Sequence, residues 1–169
     1  MHYSLSLPIG SPWPIVSIGA CAPEPATAFP AENDPRWRSL VSRLESLRER
    51  GRRSVRIVDV NCGNGALLVQ VAKLARSLDF LAIECCGIDC EQKAIEEARQ
   101  RALRLVDSAI GLSFEVGEPL AQLAAEAEFP ADIVLYEASP HHGLQLREAV
   151  RRAGDLALRT NPSPWRLCA

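Results

Sequence analysis

A strand, a glycine-rich turn and a helix follow one another between residues 54 and 78, and this run constrains the fold more than any other stretch. The segment SVRIVDV is rich in the β-branched residues of buried strands, and ALLVQVAKLARSL repeats apolar residues every three or four positions, as helices do. The turn between them, VNCGNGA, contains two glycines, which adopt positive φ without strain. This run therefore predicts the first strand–turn–helix unit of an α/β domain.

The same alternation continues along the chain. The predicted strands are 54–60, 80–89, 112–118, 131–139 and 165–169. The predicted helices that alternate with them are 66–78, 91–109, 120–128 and 144–160. Strands that alternate with helices form parallel sheets with right-handed crossovers. We therefore predict an α/β fold with a doubly wound, mainly parallel sheet of about five strands and helices on both faces.

The first 33 residues differ in composition from the rest, and we treat them as a Pro-rich arm (1–33) before a single domain (34–169). The density of prolines excludes a helix there, and the only strand-like piece is PIVSIGA, residues 14–20. A helix of about 16 residues follows the arm, with Asn33 or Asp34 as its cap and Pro35 in its first turn.

Charge, hydropathy and cysteine spacing exclude several classes of partner. The formal net charge of -2 argues against nucleic acid, since proteins that bind phosphates usually carry a basic surplus. No run approaches the roughly 18 apolar residues that span a bilayer, and the N-terminus lacks the features of a signal peptide. We therefore expect a cytoplasmic protein whose six cysteines are thiols, and the absence of a CxxC pair predicts no metal site.

The residues around the turn favour one kind of ligand. Ligands of doubly wound sheets bind where the strand order reverses, and the first strand normally lies at that point. Gly63 and Gly65 fit the first two places of the dinucleotide fingerprint, but Leu68 stands at the third. Asp59, just before the turn, would repel a pyrophosphate and attract an ammonium group. We therefore favour S-adenosylmethionine over NAD as the cofactor.

The stretch DVNCGNG, residues 59–65, resembles the DxGxGxG pattern of class I, Rossmann-like S-adenosylmethionine-dependent methyltransferases, with asparagine in place of the first glycine. The resemblance extends over residues 36–160 and implies a Rossmann-like methyltransferase domain. The residues that it assigns to the methionine part of the cofactor are Asp59, Asn61, Cys62, Gly63 and Gly65.

Two further markers of the family imply contacts to adenosine. Asp89 ends the second predicted strand, where the family has an acid for both ribose hydroxyls, and Cys90 follows it. A carboxylate suits this role because it can accept two hydrogen bonds from a vicinal diol. Gly117 and Glu118 stand where the family has a Gly-Asp pair that recognises adenine. Glu137 ends the fourth strand, where it could contact cofactor or substrate, or lie in water as a strand-end carboxylate.

Residues for catalysis are the least defined part of the sequence. His141 and His142 follow the fourth strand, where a base could reach the substrate; the alternative is that they are surface loop histidines. The Asn-Pro-Pro-aromatic motif of methyltransferases that act on bases or glutamine is absent at this position, which disfavours methylation of DNA or glutamine. We expect a methyltransferase for a small molecule. The alternative is a catalytically inactive methyltransferase-like subunit with an assembly or regulatory role.

The resemblance also raises a question about the edge of the sheet. Full members of the family have seven strands, and the last two form an antiparallel hairpin at one edge. We expect this chain, with its about five predicted strands, to lack that hairpin, which leaves a strand edge unpaired. An unpaired edge invites another chain. We expect PIVSIGA, from the same chain or a second subunit, to cover the open edge, and this predicts a homodimer.

Overall fold

A computed structural model of the chain describes residues 30–138 and 143–161. Five strands form one sheet, and all of its strand pairs are parallel. The strands are β1 (Ser54–Val60), β2 (Ala82–Asp89), β3 (Ile110–Val116), β4 (Ile133–Glu137) and β5 (Ala157–Thr160). The parallel α/β fold predicted from the sequence is confirmed.

Five α-helices connect or flank these strands, after a short 3₁₀ helix at Ala31–Asn33. The helices are α1 (Trp37–Glu49), α2 (Ala66–Ser77), α3 (Gln92–Ala102), α4 (Pro119–Glu126) and α5 (Gly143–Ala153). None of the helices in the described part of the chain is both long and apolar enough to cross a membrane.

The strand order β3-β2-β1-β4-β5 reverses direction at β1, which has β2 on one side and β4 on the other. Apolar side chains of α1, α2 and α3 pack on one face of the sheet, for example Leu44 and Val71. Those of α4 and α5 pack on the opposite face, for example Leu123 and Val150. The sheet is thus doubly wound, and the carboxyl ends of β1, β2 and β4 lie side by side at the switch point.

Helix α1 begins one turn later than its sequence suggests. Trp37 is its first residue and Arg36 is its N-cap, and in the turn before the helix Oδ1 of Asp34 accepts the backbone N–H of Arg36 at 2.8 Å. The backbone carbonyl of Asp34 also accepts the N–H of Trp37 at 3.0 Å. The predicted cap at Asn33 or Asp34 is therefore wrong by two or three residues, and the helix is shorter than predicted.

The last helix ends earlier than predicted, and a strand follows it. The helix expected over 144–160 ends at Ala153, and Ala157–Thr160 forms β5 against β4. Gly154 explains the break, because a Cβ there would lie 2.5 Å from Cγ2 of Val134 and 3.0 Å from the carbonyl oxygen of Ala131. The chain can leave α5 close to β4 only where it has no side chain.

Two predicted segments lie outside the described residues: the strand at 165–169, and PIVSIGA at 14–20 with the rest of the arm. The expectation that PIVSIGA covers an edge of the sheet, and the homodimer that it implies, therefore stay predictions. In the described residues, β3 and β5 are the two edge strands.

Replacement of Gly154 by alanine tests the origin of the helix break. We expect Gly154→Ala to lower the free energy of unfolding by about 1–3 kcal/mol, because the new methyl group overpacks the contact with β4. Urea unfolding measures this change. Gly143→Ala is the matched control, since a Cβ there meets no atom within 4 Å; equal stability of the two variants would contradict the account.

Candidate functional site

The turn after β1 is built on three residues with positive φ. Asn61, Gly63 and Gly65 have φ values of 70°, 56° and 71°. The sequence interpretation of this turn is therefore correct in its geometry, including the use of asparagine in a left-handed conformation. The backbone N–H groups of Asn61 and Cys62 donate to the carbonyl oxygen of Ile88 at 2.8 and 3.0 Å. These bonds hold the turn against the end of β2.

Glycine is also required at the start of α2 for packing. A Cβ at Gly65 would lie 2.6 Å from Cε1 of Phe114, and one at Gly87 would lie 2.5 Å from Cδ1 of the same ring. The buried Phe114 ring of β3 therefore occupies the space next to the turn and to β2. The Phe114 ring therefore sets the distance between the start of α2 and the strands.

Asp89 ties the turn to the second strand. It is only 1% exposed; its Oδ2 accepts the backbone N–H of Gly63 at 2.8 Å, and its Oδ1 accepts that of Glu91 at 3.0 Å. A carboxylate oxygen can accept more than one hydrogen bond. The role predicted for Asp89 in ribose binding stays a prediction, whereas its role in fixing the turn is visible.

The third predicted marker lies next to Asp89. The N–H of Gly117 donates to the carbonyl oxygen of Asp89 at 3.0 Å. Glu118 is the N-cap of α4, and its Oε2 accepts the N–H of Ala121 at 2.9 Å. Glu118 therefore has a structural task in addition to the predicted contact with adenine, which stays a prediction.

Asp59 has a charged neighbour that the sequence did not reveal. Its carboxylate is almost fully buried, with 2% of the residue exposed, and Nη1 of Arg36 lies 3.6 Å from its Oδ1. Arg36 immediately precedes α1, so that helix brings a guanidinium to the carboxyl end of β1. Residues 23 positions apart meet here through tertiary packing, and no local motif signals the contact.

A second carboxylate holds Arg36 in place. Asp34 accepts from Nε of Arg36 at 3.0 Å and from Nη2 at 2.9 Å, which is a bidentate ion pair. Burial alone would raise the pKa of Asp34, but the hydrogen bonds from Arg36 outweigh burial and lower it. Glu137, at the end of β4, also acts on Arg36 through its charge. Three carboxylates thus surround one guanidinium.

The cysteines near the turn differ in accessibility. Cys62 is half-buried in the turn, and Cys90, next to Asp89, is exposed. Cys85 is buried within β2, and burial raises the pKa of its thiol, so it stays protonated in the core. Over the described ranges, no three His, Cys, Asp or Glu side chains come together as metal ligands.

The two histidines predicted as bases, His141 and His142, lie outside the described residues. Their predicted role is untested by the structure. The strand that precedes them is described, and its end places Glu137 at the same edge of the sheet as Asp59.

The chemistry of these groups fits an adenosyl amino acid. Asp59 supplies a negative charge for an ammonium, Asp89 supplies acceptors for a diol, and the positive-φ turn lies between them. A cavity of about 420 Å³ is lined in part by Gly63 and Glu91, the two residues whose backbone N–H groups donate to the Asp89 carboxylate. Leu68 is buried in the core at the place where a dinucleotide-binding turn needs its third glycine.

Comparison with known protein families identifies a matching domain. A family model described as a methyltransferase domain matches residues 52–156. This range contains the turn, Asp89 and the end of β4. Among curated protein sequences, none matches the chain.

Solved structures share the fold at low sequence identity. The bifunctional kinase-methyltransferase WbdD superposes with a TM-score of 0.58 and 20% identity, over 76% of this chain and 29% of that chain. A putative caffeoyl-CoA O-methyltransferase from Staphylococcus aureus superposes with a TM-score of 0.50 and 15% identity, over 69% of this chain and 52% of that chain. The matched region therefore spans less than a third of the length of the first protein and about half of the length of the second.

Replacement of Asp89 by asparagine tests how the turn is held. An amide has one acceptor oxygen, so Asp89→Asn leaves one of the N–H groups of Gly63 and Glu91 facing a donor. We expect a loss of about 1–3 kcal/mol in the free energy of unfolding, measured with urea. Glu91→Gln, an exposed carboxylate beside it, should be neutral. A loss of the same size in both variants would contradict the account.

The ion pair of Asp34 predicts a pH dependence of stability. Its pKa is lower in the folded protein, so its carboxylate stabilises the fold above the unfolded pKa of about 3.9, and this contribution disappears as pH falls through the folded pKa. We expect Asp34→Asn to be less stable than the unchanged protein at pH 7, with a difference that shrinks below pH 4. Unfolding curves at several pH values measure it, with the exposed Glu32→Gln as control. A difference that does not vary with pH would show that the charge is irrelevant.

Proposed function

The chain belongs to the methyltransferase-domain family, and from that premise we propose that it is an S-adenosylmethionine-dependent methyltransferase that acts on a small molecule. One observation carries the cofactor part of this proposal. The turn after β1 is fixed to Asp89 at the switch point of the sheet, with the buried carboxylate of Asp59 beside it. Sheets of this topology bind their ligands at this place.

In this proposal, different residues bind different parts of the cofactor. Asp59 balances the ammonium of the methionine part, and the turn from Asn61 to Gly65 brings its backbone close to the ligand. Asp89, with Cys90 beside it, faces the ribose hydroxyls, and Glu118 accepts from the adenine amino group while it caps α4. When bound, S-adenosylmethionine supplies a methyl group on a sulfonium, which is an electrophile.

Methyl transfer of this kind needs alignment and exclusion of water more than acid–base chemistry. A base becomes necessary when the acceptor is a hydroxyl, whose proton must leave as the new bond forms. His141 and His142 are the proposed bases, and Glu137, at the end of β4, is the proposed contact to cofactor or substrate. In a site that excludes water, Glu137 would also attract a cationic ligand.

Two features of the sequence support a small-molecule acceptor. The net charge of -2 gives no electrostatic preference for nucleic acid. The fourth strand continues as YEASPHH, without the Asn-Pro-Pro-aromatic motif for planar amino groups. The acceptor would then be a hydroxyl, amine or thiol of a small compound.

Thermal unfolding with S-adenosylhomocysteine tests the cofactor. A ligand at about 100 times its dissociation constant adds about 2.7 kcal/mol to the free energy of unfolding. For a chain of this length, we expect the unfolding midpoint to rise by about 5–10 °C. NAD serves as the control ligand and should cause no rise. Asp89→Ala is the variant in which the rise should disappear, because it removes the predicted acceptors of the ribose hydroxyls.

The possible outcomes separate the two functional classes. Two results together would support the enzyme. The unfolding midpoint would rise with S-adenosylhomocysteine and not with NAD. S-adenosylhomocysteine would also form from S-adenosylmethionine when one compound from a small-molecule panel is present. No rise at millimolar ligand would contradict the proposal and favour the inactive, methyltransferase-like subunit. Turnover with an oligonucleotide or peptide pool, and none with small molecules, would contradict the proposed acceptor class.

A further inference from the structure

Asn64 is a residue of the turn after β1 to which the proposed function gives no role of its own. It is the only asparagine of the chain that precedes a glycine, since Asn33, Asn61 and Asn161 precede aspartate, cysteine and proline. Glycine has no Cβ, so the backbone nitrogen that follows Asn64 is poorly shielded from the asparagine side chain. Asparagine is also among the thermolabile residues. The sequence therefore favours a reaction between the Asn64 amide and the backbone next to it.

This reaction is a deamidation, and water is its only co-reactant. The backbone nitrogen of Gly65 attacks Cγ of Asn64 and closes a cyclic imide. The bond from Cγ to the amide nitrogen breaks, and ammonia leaves with the proton of the Gly65 N–H group. Water then opens the imide at either carbonyl. One opening gives aspartate, and the other gives isoaspartate, in which the main chain runs through the former side-chain carbon.

The structure makes the Asn64 side chain accessible to this reaction. Asn64 is exposed and lines the cavity of about 420 Å³ beside the turn, so water reaches it. Its Oδ1 accepts the backbone N–H of Ala66 at 3.3 Å, which folds the side-chain amide back over the peptide bonds that follow it. Gly65 stands between the two bonded residues, so this hydrogen bond keeps Cγ close to the attacking nitrogen.

One hydrogen bond opposes the reaction while the turn is closed. The N–H of Gly65 donates to the carbonyl oxygen of Cys62 at 3.1 Å, and this bond must break before the nitrogen can attack. The Asp89 carboxylate limits opening of the turn, since it accepts the N–H of Gly63 at 2.8 Å. The rate of deamidation therefore depends on how often the turn opens.

Isoaspartate at position 64 would lengthen the backbone of the turn by one carbon atom. The turn is closely fitted against α3, because Nε of Arg101 donates to the carbonyl oxygen of Asn64 at 3.2 Å. A Cβ at Gly65 would lie only 2.9 Å from that of Ala98. A longer backbone cannot keep these contacts and the hydrogen bond to Asp89 at the same time. Conversion would therefore distort the turn at the switch point of the sheet.

We propose that Asn64 is a site of spontaneous deamidation, and that its conversion to isoaspartate disables the turn for its ligand as the protein ages. The chemical step follows from the sequence and the fold alone. The loss of ligand binding rests on the proposed function, so the two parts are tested separately.

Peptide mass spectrometry of the full chain, incubated in mildly alkaline buffer at body temperature, tests the chemical step. Conversion changes the mass of the peptide by the difference between an amide and an acid, and fragmentation distinguishes aspartate from isoaspartate. We expect most of Asn64 to convert while little of Asn33 or Asn61 does. Asn33 is the matched control, since it is exposed as well but precedes an aspartate.

Variants test whether the turn controls the rate. Asp89→Asn weakens the hold on Gly63, and we expect it to speed the conversion of Asn64. Glu128→Gln replaces an exposed carboxylate beyond α4 and should leave the rate unchanged. If Asp89→Asn does not fold, the unchanged protein in urea takes its place, because urea also removes the hydrogen bonds of the turn. Faster conversion in urea than in buffer is then the expected result.

Calorimetric titration with S-adenosylhomocysteine tests the consequence for the site. The isoaspartyl fraction, separated chromatographically from the unmodified chain, should bind about tenfold more weakly or less, a loss that corresponds to about 1.4 kcal/mol. Asn64→Asp supplies the other product at the normal backbone length. We expect this variant to bind within about threefold of the unchanged protein.

Each outcome decides between distinct claims. Conversion of Asn64 no faster than that of Asn33 would overturn the proposed modification site. Equal rates in the closed and the loosened turn would overturn the control by Asp89. Undiminished binding by the isoaspartyl fraction would overturn the claim that the modification disables the turn. Failure of the unmodified chain to bind S-adenosylhomocysteine would instead overturn the proposed function and leave the modification site standing.

Discussion

The hydrogen bonds of Asp89 are the constraint on which the rest of the site depends. This carboxylate joins the turn after β1 to the first residues beyond β2, through the N–H groups of Gly63 and Glu91. A turn with three positive-φ residues has little intrinsic preference for one shape, so a buried acceptor is needed to select it. The same bonds bring the carboxyl ends of β1 and β2 into a fixed relation. The candidate site thus lies where these bonds join β1 to β2, at the switch point of the sheet.

Packing supports this arrangement from the opposite side. Phe114 on β3 fills the space that a side chain at Gly65 or Gly87 would need, so the start of α2 can approach the sheet closely. The doubly wound order then places β4 beside β1, and Glu137 arrives at the edge where Asp59 lies. Helix α1 completes the edge with Arg36, which Asp34 orients. The packing of the core therefore determines where the charged groups at this edge of the sheet lie.

Much of this could be predicted from the sequence because it rests on local signals. The alternation of strand and helix patterns, the glycines of the turn and the acid at Asp89 each have a periodicity or a spacing that a reader can recognise. The end of the last helix was predicted too late because Gly154 breaks α5 through its contact with Val134, which no local pattern shows. Arg36 was missed for a similar reason, since its partner Asp59 is distant in sequence. The double task of Glu118, as a helix cap and a predicted ligand, also depends on where α4 begins.

Hydrogen exchange followed by mass spectrometry tests the central claim most directly, because it locates the ligand on the chain without knowledge of the substrate. The claim is that the turn and Asp89 form a site for an adenosyl amino acid. It predicts that saturating S-adenosylhomocysteine slows exchange in residues 61–66 and 89–91. Exchange in residues 107–109, which precede β3 at the opposite end of the sheet, should not change, and NAD should have no effect. Unchanged exchange in both segments, or slowing confined to another part of the chain, would contradict the account.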